Sequence, residues 1–185
     1  MTTQTTEGRV GSPDVPSFRR IVFTEEQIRT RVGELAAEIE AHYDHGEPLT
    51  VLGLLKGSFI FLSDLIRSIQ RPLHVDFVVA SSYGHGTRSS GEVTVHYGPR
   101  DILKGRHILL VEDIIDSGTT LNHLIPLLRE HDPAGIEACT LLHKHLTRTE
   151  PEPRWVGFDA PREFLVGYGL DHAEDFRHLP FIASL

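Results

Sequence analysis

The sequence predicts an α/β fold, a mainly parallel central sheet flanked by helices, and three observations carry that reading. Short apolar runs recur along the chain at 49–55, 75–80, 107–111, 136–142 and 155–158. Helical segments with recognisable starts alternate with them, the pattern of strands joined by crossover helices. At the end of one strand stands an unusual run, Val111-Glu112-Asp113-Ile114-Ile115-Asp116-Ser117-Gly118-Thr119-Thr120. Open parallel sheets bind ligands at the carboxyl ends of their strands, where this run falls.

Each element has a local cause. Thr24-Glu25-Glu26-Gln27 is a capping box, and Ile28, Val32, Leu35, Ala36 and Ile39 follow at helical spacing. That helix is expected to end near Tyr43, before Gly46. The run 49–55 reads as a buried strand. Beyond Lys56-Gly57, Ser58 is placed to cap a second helix reaching about Ile69, stopped before Pro72. After the strand 75–80, the stretch 81–91 is rich in Ser and Gly, with Tyr83 its one apolar anchor. The alternating segment 92–97 follows as a strand, which makes 81–91 a long hairpin-like loop, of a length that is usually either functional or disordered. The strand 107–111 delivers the acidic run, and a helix over 119–130 follows, in which Pro126 should introduce a kink. The runs 136–142, 155–158 and 164–168 complete the set of short strands.

Composition narrows the class. A chain of 185 residues with 39% hydrophobic and 24% charged residues suits one soluble domain with a substantial core. No apolar run is long enough for a membrane span. Residues 1–16 hold Thr, Gly, Pro and Ser without a hydrophobic stretch, so they read as a disordered tail and not a secretory signal, with one domain over 17–185. The single cysteine, Cys139, cannot form an internal disulfide and falls in an apolar run, which fits a buried, inert thiol and a cytoplasmic protein. A net charge of −8 disfavours a nucleic-acid surface. Twelve histidines show neither an HExxH pattern nor Cys/His ligand spacing, so a zinc site is not expected.

The acidic run has its own chemistry. Carboxylates at a strand end suit a ligand with hydroxyls, or a metal ion. The Ser-Gly-Thr-Thr turn offers backbone N–H groups, hydroxyls and the positive end of a helix, which suit a phosphate. Both together point to a phosphorylated ribose.

The run resembles the ribose-phosphate loop of the type I phosphoribosyltransferases, in the form found in hypoxanthine-guanine phosphoribosyltransferases. Three further stretches match that family in order: Leu55-Lys56-Gly57-Ser58, Leu141-Leu142-His143-Lys144 and Phe164-Leu165-Val166-Gly167-Tyr168-Gly169-Leu170-Asp171. The resemblance spans about 21–183. It implies the phosphoribosyltransferase type I fold, with a small hood built from N- and C-terminal segments and a flexible active-site loop. It also implies purine salvage: the 5-phosphoribosyl group of 5-phosphoribosyl-1-pyrophosphate (PRPP) passes to N9 of hypoxanthine or guanine, giving IMP or GMP and pyrophosphate, with Mg²⁺ as cofactor.

Carried over residue by residue, the resemblance makes Asp116 the catalytic proton acceptor near N7 of the base. Glu112, Asp113, Asp116, Ser117, Gly118, Thr119 and Thr120 are expected to bind PRPP or nucleotide. Pyrophosphate falls to Lys56, Gly57, Arg177, Ser82 and Tyr83, the last two covering the site, and related enzymes hold the Leu55–Lys56 peptide cis. Lys144, Phe164, Leu165 and Asp171 are expected around the purine, and Glu112, Asp113 and Asp171 around metal. Leu165 stands where the family usually has Val. Lys144 has a chemical reason as well: an ammonium only donates hydrogen bonds, so it suits a 6-carbonyl and not the 6-amino group of adenine. His143 and His145 are expected to be structural and to point away from Lys144.

The expected partners are the small-molecule substrates, with neither nucleic acid nor membrane, in a homodimer or homotetramer. Two other readings stand beside the first. Xanthine shares the 6-carbonyl, so a xanthine-preferring enzyme fits the same motifs. A non-catalytic RNA-binding regulator on the same fold would need a clustered basic face, and Arg100, Lys104 and Arg106 form only a small group.

Overall fold

The structure is a computed structural model that describes residues 17–44, 46–47, 49–82, 93–98, 103–146, 149 and 151–185, with backbone only at 81, 82 and 93–97. Twelve elements follow in chain order: β1 (Arg20–Phe23), α1 (Glu25–His42), β2 (Leu49–Leu55), α2 (Phe59–Ser68), β3 (Leu73–Ser82), β4 (Val93–Tyr97), β5 (His107–Ile115), α3 (Thr119–Arg129), β6 (Gly135–His143), β7 (Trp155–Asp159), β8 (Leu165–Val166) and β9 (Ile182–Ser184). The expected tail at 1–16 and the tip of the expected loop, 83–91, lie outside the described residues.

Six strands form the central sheet in the order β4-β3-β2-β5-β6-β7. Every neighbouring pair is parallel except β3 with β4, which closes one edge antiparallel. Helices cover both faces, which is why β2 and β5 read as continuous apolar runs and not as alternating ones. Leu49, Val51, Leu109, Val111 and Leu141 share a core with Ile28, Val32, Leu35 and Ile39 of α1 and with Phe61 and Leu65 of α2. Leu52, Leu54, Ile108 and Leu110 face Leu121, Leu124, Ile125 and Leu128 of α3 on the other side.

The capping box forms as its sequence predicts: the Gln27 N–H donates to Thr24 Oγ1 at 3.3 Å, and the Thr24 N–H donates to Gln27 Oε1 at 2.8 Å. Ser58 departs from expectation. Its backbone is already right-handed helical, and its hydroxyl donates back to the Leu54 carbonyl at 2.5 Å instead of capping α2. Helix α3 runs through Pro126 and ends at Arg129.

A second, three-stranded antiparallel sheet, β1-β9-β8, supplies the hood. The expected strand 164–168 shrinks to Leu165–Val166 and belongs to this sheet, not to the central one. Gly167, Tyr168 and Gly169 all have positive φ (98°, 51° and 102°), a backbone that cannot continue a strand. The hood is not separate packing: Leu165 and Ile182 are buried in the same core as α1 and β2. Among the described residues no helix is long and apolar enough to cross a membrane.

Candidate active site

The central strand runs further than its apolar stretch. Instead of ending at Val111, β5 continues through the acids to Ile115, because Ile114 and Ile115 pair with Leu142 and His143 of β6 and Ile115 is buried. Successive strand residues point to opposite faces, so Glu112 and Asp113 are not a side-by-side pair. Asp113 lies against the loop after β2: a Cβ on Gly57 would come within 1.7 Å of Asp113 Oδ2. Gly57 is therefore required by a close approach.

Environment separates these acids from Asp116. Burial, and then the charge of Asp113, push Glu112 well above the usual carboxylate range. Burial lifts Asp113 to about 6, although its carboxylate accepts from its own N–H and that of Ile114, and Arg177 acts in the opposite direction. Asp116 has its side chain 56% exposed.

Past Ile115 the chain turns into α3 through Asp116-Ser117-Gly118. Gly118 is the N-cap, with φ 71°, and a Cβ there would meet Thr149 Cγ2 at 2.3 Å. Asp116 therefore does not cap the helix. Ser117 Oγ and Thr119 Oγ1 are 2.8 Å apart across the turn, and Thr119 and Thr120 open the helix. Hydroxyls, N–H groups and a helix end come together at this turn, the arrangement that favours a phosphate.

Lys144 follows β6 directly, tied by its N–H to the Ile115 carbonyl at 3.0 Å. Its Nζ sits 3.2 Å from Asp116 Oδ2. A donor and an acceptor thus stand side by side at the strand ends. Strand β6 stops at His143, and His145 leaves it with φ 50°. The two rings come together at 3.9 Å, and His145 Nε2 meets Asp159 Oδ1 at 2.6 Å. Burial holds the His143 imidazole below its ordinary value. Phe164 is 54% exposed and meets the His172 ring edge-on at 5.5 Å, an aromatic face open to a ligand. Leu165 is buried in β8 beside it.

The opposite wall carries the cations. The Leu55–Lys56 peptide is cis. Lys56 Nζ lies 3.0 and 3.1 Å from the two carboxylate oxygens of Glu174. Arg177 donates to the Gly169 carbonyl at 2.7 Å and pairs with Asp171 Oδ1 at 2.8 Å. Gly169 meets this loop backbone to backbone, since a Cβ on it would lie 2.1 Å from the Gly57 carbonyl oxygen. Ser82 ends β3, and Tyr83 lies outside the described residues. Glu174, which meets both Lys56 and Arg177, is a residue that the sequence reading did not single out. Its signal is faint: an acid three positions before Arg177 in a short polar stretch. Among the described residues no group of three or more His, Cys, Asp or Glu side chains is arranged to hold a metal ion.

Comparison with known proteins agrees with this geometry. The family model described as "Phosphoribosyl transferase domain" matches residues 22–173. The chain belongs to the phosphoribosyltransferase family. Within it, the chain is 42% identical to a hypoxanthine-guanine phosphoribosyltransferase of Dictyostelium discoideum, over 90% of this chain and 95% of that one. It is 41% identical to a hypoxanthine phosphoribosyltransferase of Salmonella typhimurium, over 89% of this chain and 94% of the relative. A solved hypoxanthine-guanine phosphoribosyltransferase from Bacillus anthracis superposes with a TM-score of 0.85 at 42% identity, covering 91% of this chain and 99% of that one. These relatives place the chain in the hypoxanthine-guanine branch of the type I phosphoribosyltransferases.

Proposed function

We propose that this chain is a purine salvage enzyme that transfers the 5-phosphoribosyl group of PRPP to N9 of hypoxanthine or guanine, giving IMP or GMP and pyrophosphate. The observation that carries the reading is Lys144 Nζ at 3.2 Å from Asp116 Oδ2, beside the Ser117–Thr120 turn. A 6-oxopurine presents O6 and N7 on one edge. Lys144 donates to O6 while Asp116 accepts the proton that N7 gives up. The same ammonium meets the 6-amino group of adenine with no acceptor, and mismatched polar groups of this kind discriminate strongly. Phe164 stacks on the purine, with Leu165 and Asp171 at its edge.

The carboxylates Glu112 and Asp113 flank the end of β5 where the ribose would lie, and the turn from Asp116 to Thr120 holds the 5′-phosphate through N–H groups and hydroxyls. As N9 bonds to C1 of the ribose, the bond from C1 to pyrophosphate breaks and C1 gains positive charge, which the carboxylates stabilise. Pyrophosphate departs toward Lys56, Gly57 and Arg177, with Ser82 and Tyr83 on that side. The Arg177 Nε is buried and has no partner among the described residues, a donor left for a phosphate oxygen. Mg²⁺ suits the donor chemistry here, hard carboxylate oxygens beside a diphosphate, and would need substrate oxygens to complete its shell. The carboxyls of Glu112 and Asp113 are pushed up by burial, a penalty that a bound cation relieves, and hard oxygens suit this ion. Because Glu112 and Asp113 leave the strand on opposite faces, one of the two would hold an ion on the ribose side and Asp171 a second on the pyrophosphate side, with substrate oxygens completing each shell. The ion supplies charge neutralisation of the diphosphate.

The test is turnover that depends on PRPP and Mg²⁺, with hypoxanthine, guanine, xanthine, adenine and uracil side by side. The proposal expects the 6-oxopurines to react and adenine and uracil to stay silent. A dominant xanthine rate would reassign the substrate, and no turnover with any base would favour a binding protein on the same fold. Self-association into a dimer or tetramer belongs to the same proposal and is read by sedimentation.

A further inference from the structure

The cations of the pyrophosphate wall are already engaged. Glu174 places both carboxylate oxygens on Lys56, at 3.0 and 3.1 Å, and Oε2 also lies 3.4 Å from Arg177 Nη2. A two-oxygen contact on an ammonium with a guanidinium beside it is what a phosphate group would make. The backbone under Glu174 is unusual as well. His172 and Asp175 exchange N–H to carbonyl bonds at 3.2 and 3.1 Å, closing a tight turn whose central residues are Ala173 and Glu174. Both have positive φ, 51° and 68°, as in a type I′ turn, where Gly and Asn are the ordinary occupants. A glutamate held in that conformation, and aimed at a lysine 118 residues away, needs a reason beyond the turn itself.

The partners differ in how firmly they are held. Arg177 is 19% exposed and fixed by the Gly169 carbonyl and Asp171, whereas the side chains of Lys56 and Glu174 are 67% and 66% exposed. Arg177 can therefore stay in place while Glu174 swings into solvent.

We propose that Glu174 is a displaceable occupant of the pyrophosphate site: its carboxylate holds Lys56 in the free protein and is driven off by the incoming diphosphate, so it sets how tightly that group is held. This rests on the reading that Lys56 and Arg177 bind pyrophosphate. The occupant keeps Lys56 oriented between turnovers and re-enters as pyrophosphate leaves, which weakens retention of the product.

The test is the affinity for magnesium pyrophosphate, by calorimetry and as product inhibition, in the wild type, Glu174→Gln, Glu174→Gly and Lys56→Ala. Glu174→Gly also relieves the positive φ, so one variant keeps the side-chain length and the other keeps the fold at ease. Both Glu174 variants are expected to bind pyrophosphate about two- to fivefold more tightly, the range an exposed ion pair holds back. The KM for PRPP should fall in parallel, while the KM for the base should not move. Unchanged or weaker pyrophosphate binding in both Glu174 variants overturns the proposal. If Lys56→Ala leaves pyrophosphate affinity intact, the assignment of the site itself fails and the role of Glu174 falls with it. Weakened binding in Lys56→Ala with no change in the Glu174 variants removes Glu174 alone.

Discussion

The wall formed by β5 and the turn after it is one continuous piece of chain from Glu112 to Thr120, whereas the facing wall joins Lys56 and Gly57 to residues more than a hundred positions away. The first wall holds carboxylates that the fold has partly stripped of water, with a phosphate-shaped turn beside them. The second holds cations already matched by Asp171 and Glu174. A ligand on the first wall relieves a cost that the folded protein carries. A ligand on the second wall has to compete with the protein's own acids. That difference suits a reaction in which one product is built on the first wall and the other must leave the second.

Three substitutions sharpen or break this comparison. The largest effect is expected at the seam between the walls. In Gly57→Ala the new methyl group would overlap Asp113 Oδ2, so the loop must shift at the point where both walls meet. Misplacement on the order of 1 Å costs about a hundredfold in rate, and kcat/KM should fall by roughly that much or more. Activity within a few-fold of wild type would show that the walls are not mechanically joined there.

Next is Lys144→Ala, which removes the donor beside Asp116. A charged hydrogen bond contributes about 1.5–3 kcal/mol, so kcat/KM for hypoxanthine should drop roughly ten- to a hundredfold. The KM for PRPP should move little, and the preference over adenine should shrink. Unchanged discrimination among bases would take Lys144 out of the specificity argument.

The smallest effect is on stability. Burial lifts the Asp113 carboxyl from 3.8 to about 6 in the folded protein. As pH falls, the folded state takes up this proton before the unfolded chain does, so stability due to this group rises between pH 6 and 3.8 and is least above pH 6. Asp113→Asn removes the penalty and should raise the stability of the ligand-free protein by about 1–3 kcal/mol at pH 8, with the gain fading toward pH 4. Equal melting temperatures at pH 8 would mean that Asp113 carries no such penalty. The same variant is expected to lose activity, a stability gain bought at the functional site.

How much of this was legible in the sequence follows from the same contrast. The capping box, the apolar strands and the Ser117–Thr120 turn rest on local physics, and the structure places them close to where spacing put them. Spacing alone ends β5 at Val111, because acids look like a strand terminus, whereas pairing of Ile114 and Ile115 with β6 carries the strand through them. Spacing does not reveal strands β1 and β9 in the region where the resemblance implies a hood, because each is short and becomes a strand only by pairing with a partner at the other end of the chain. Glu174 was invisible for a related reason. Its importance lies in a contact with Lys56 and in a left-handed backbone that Ala173-Glu174 does not advertise.

The most direct test of the divided cleft is to titrate IMP and magnesium pyrophosphate separately into the wild type, a Thr119→Val Thr120→Val double variant and Arg177→Ala. The account predicts a double dissociation: the double variant loses affinity for IMP and keeps pyrophosphate, while Arg177→Ala loses pyrophosphate and keeps IMP. If each change weakens both products alike, or neither, the two walls do not divide the substrate as argued.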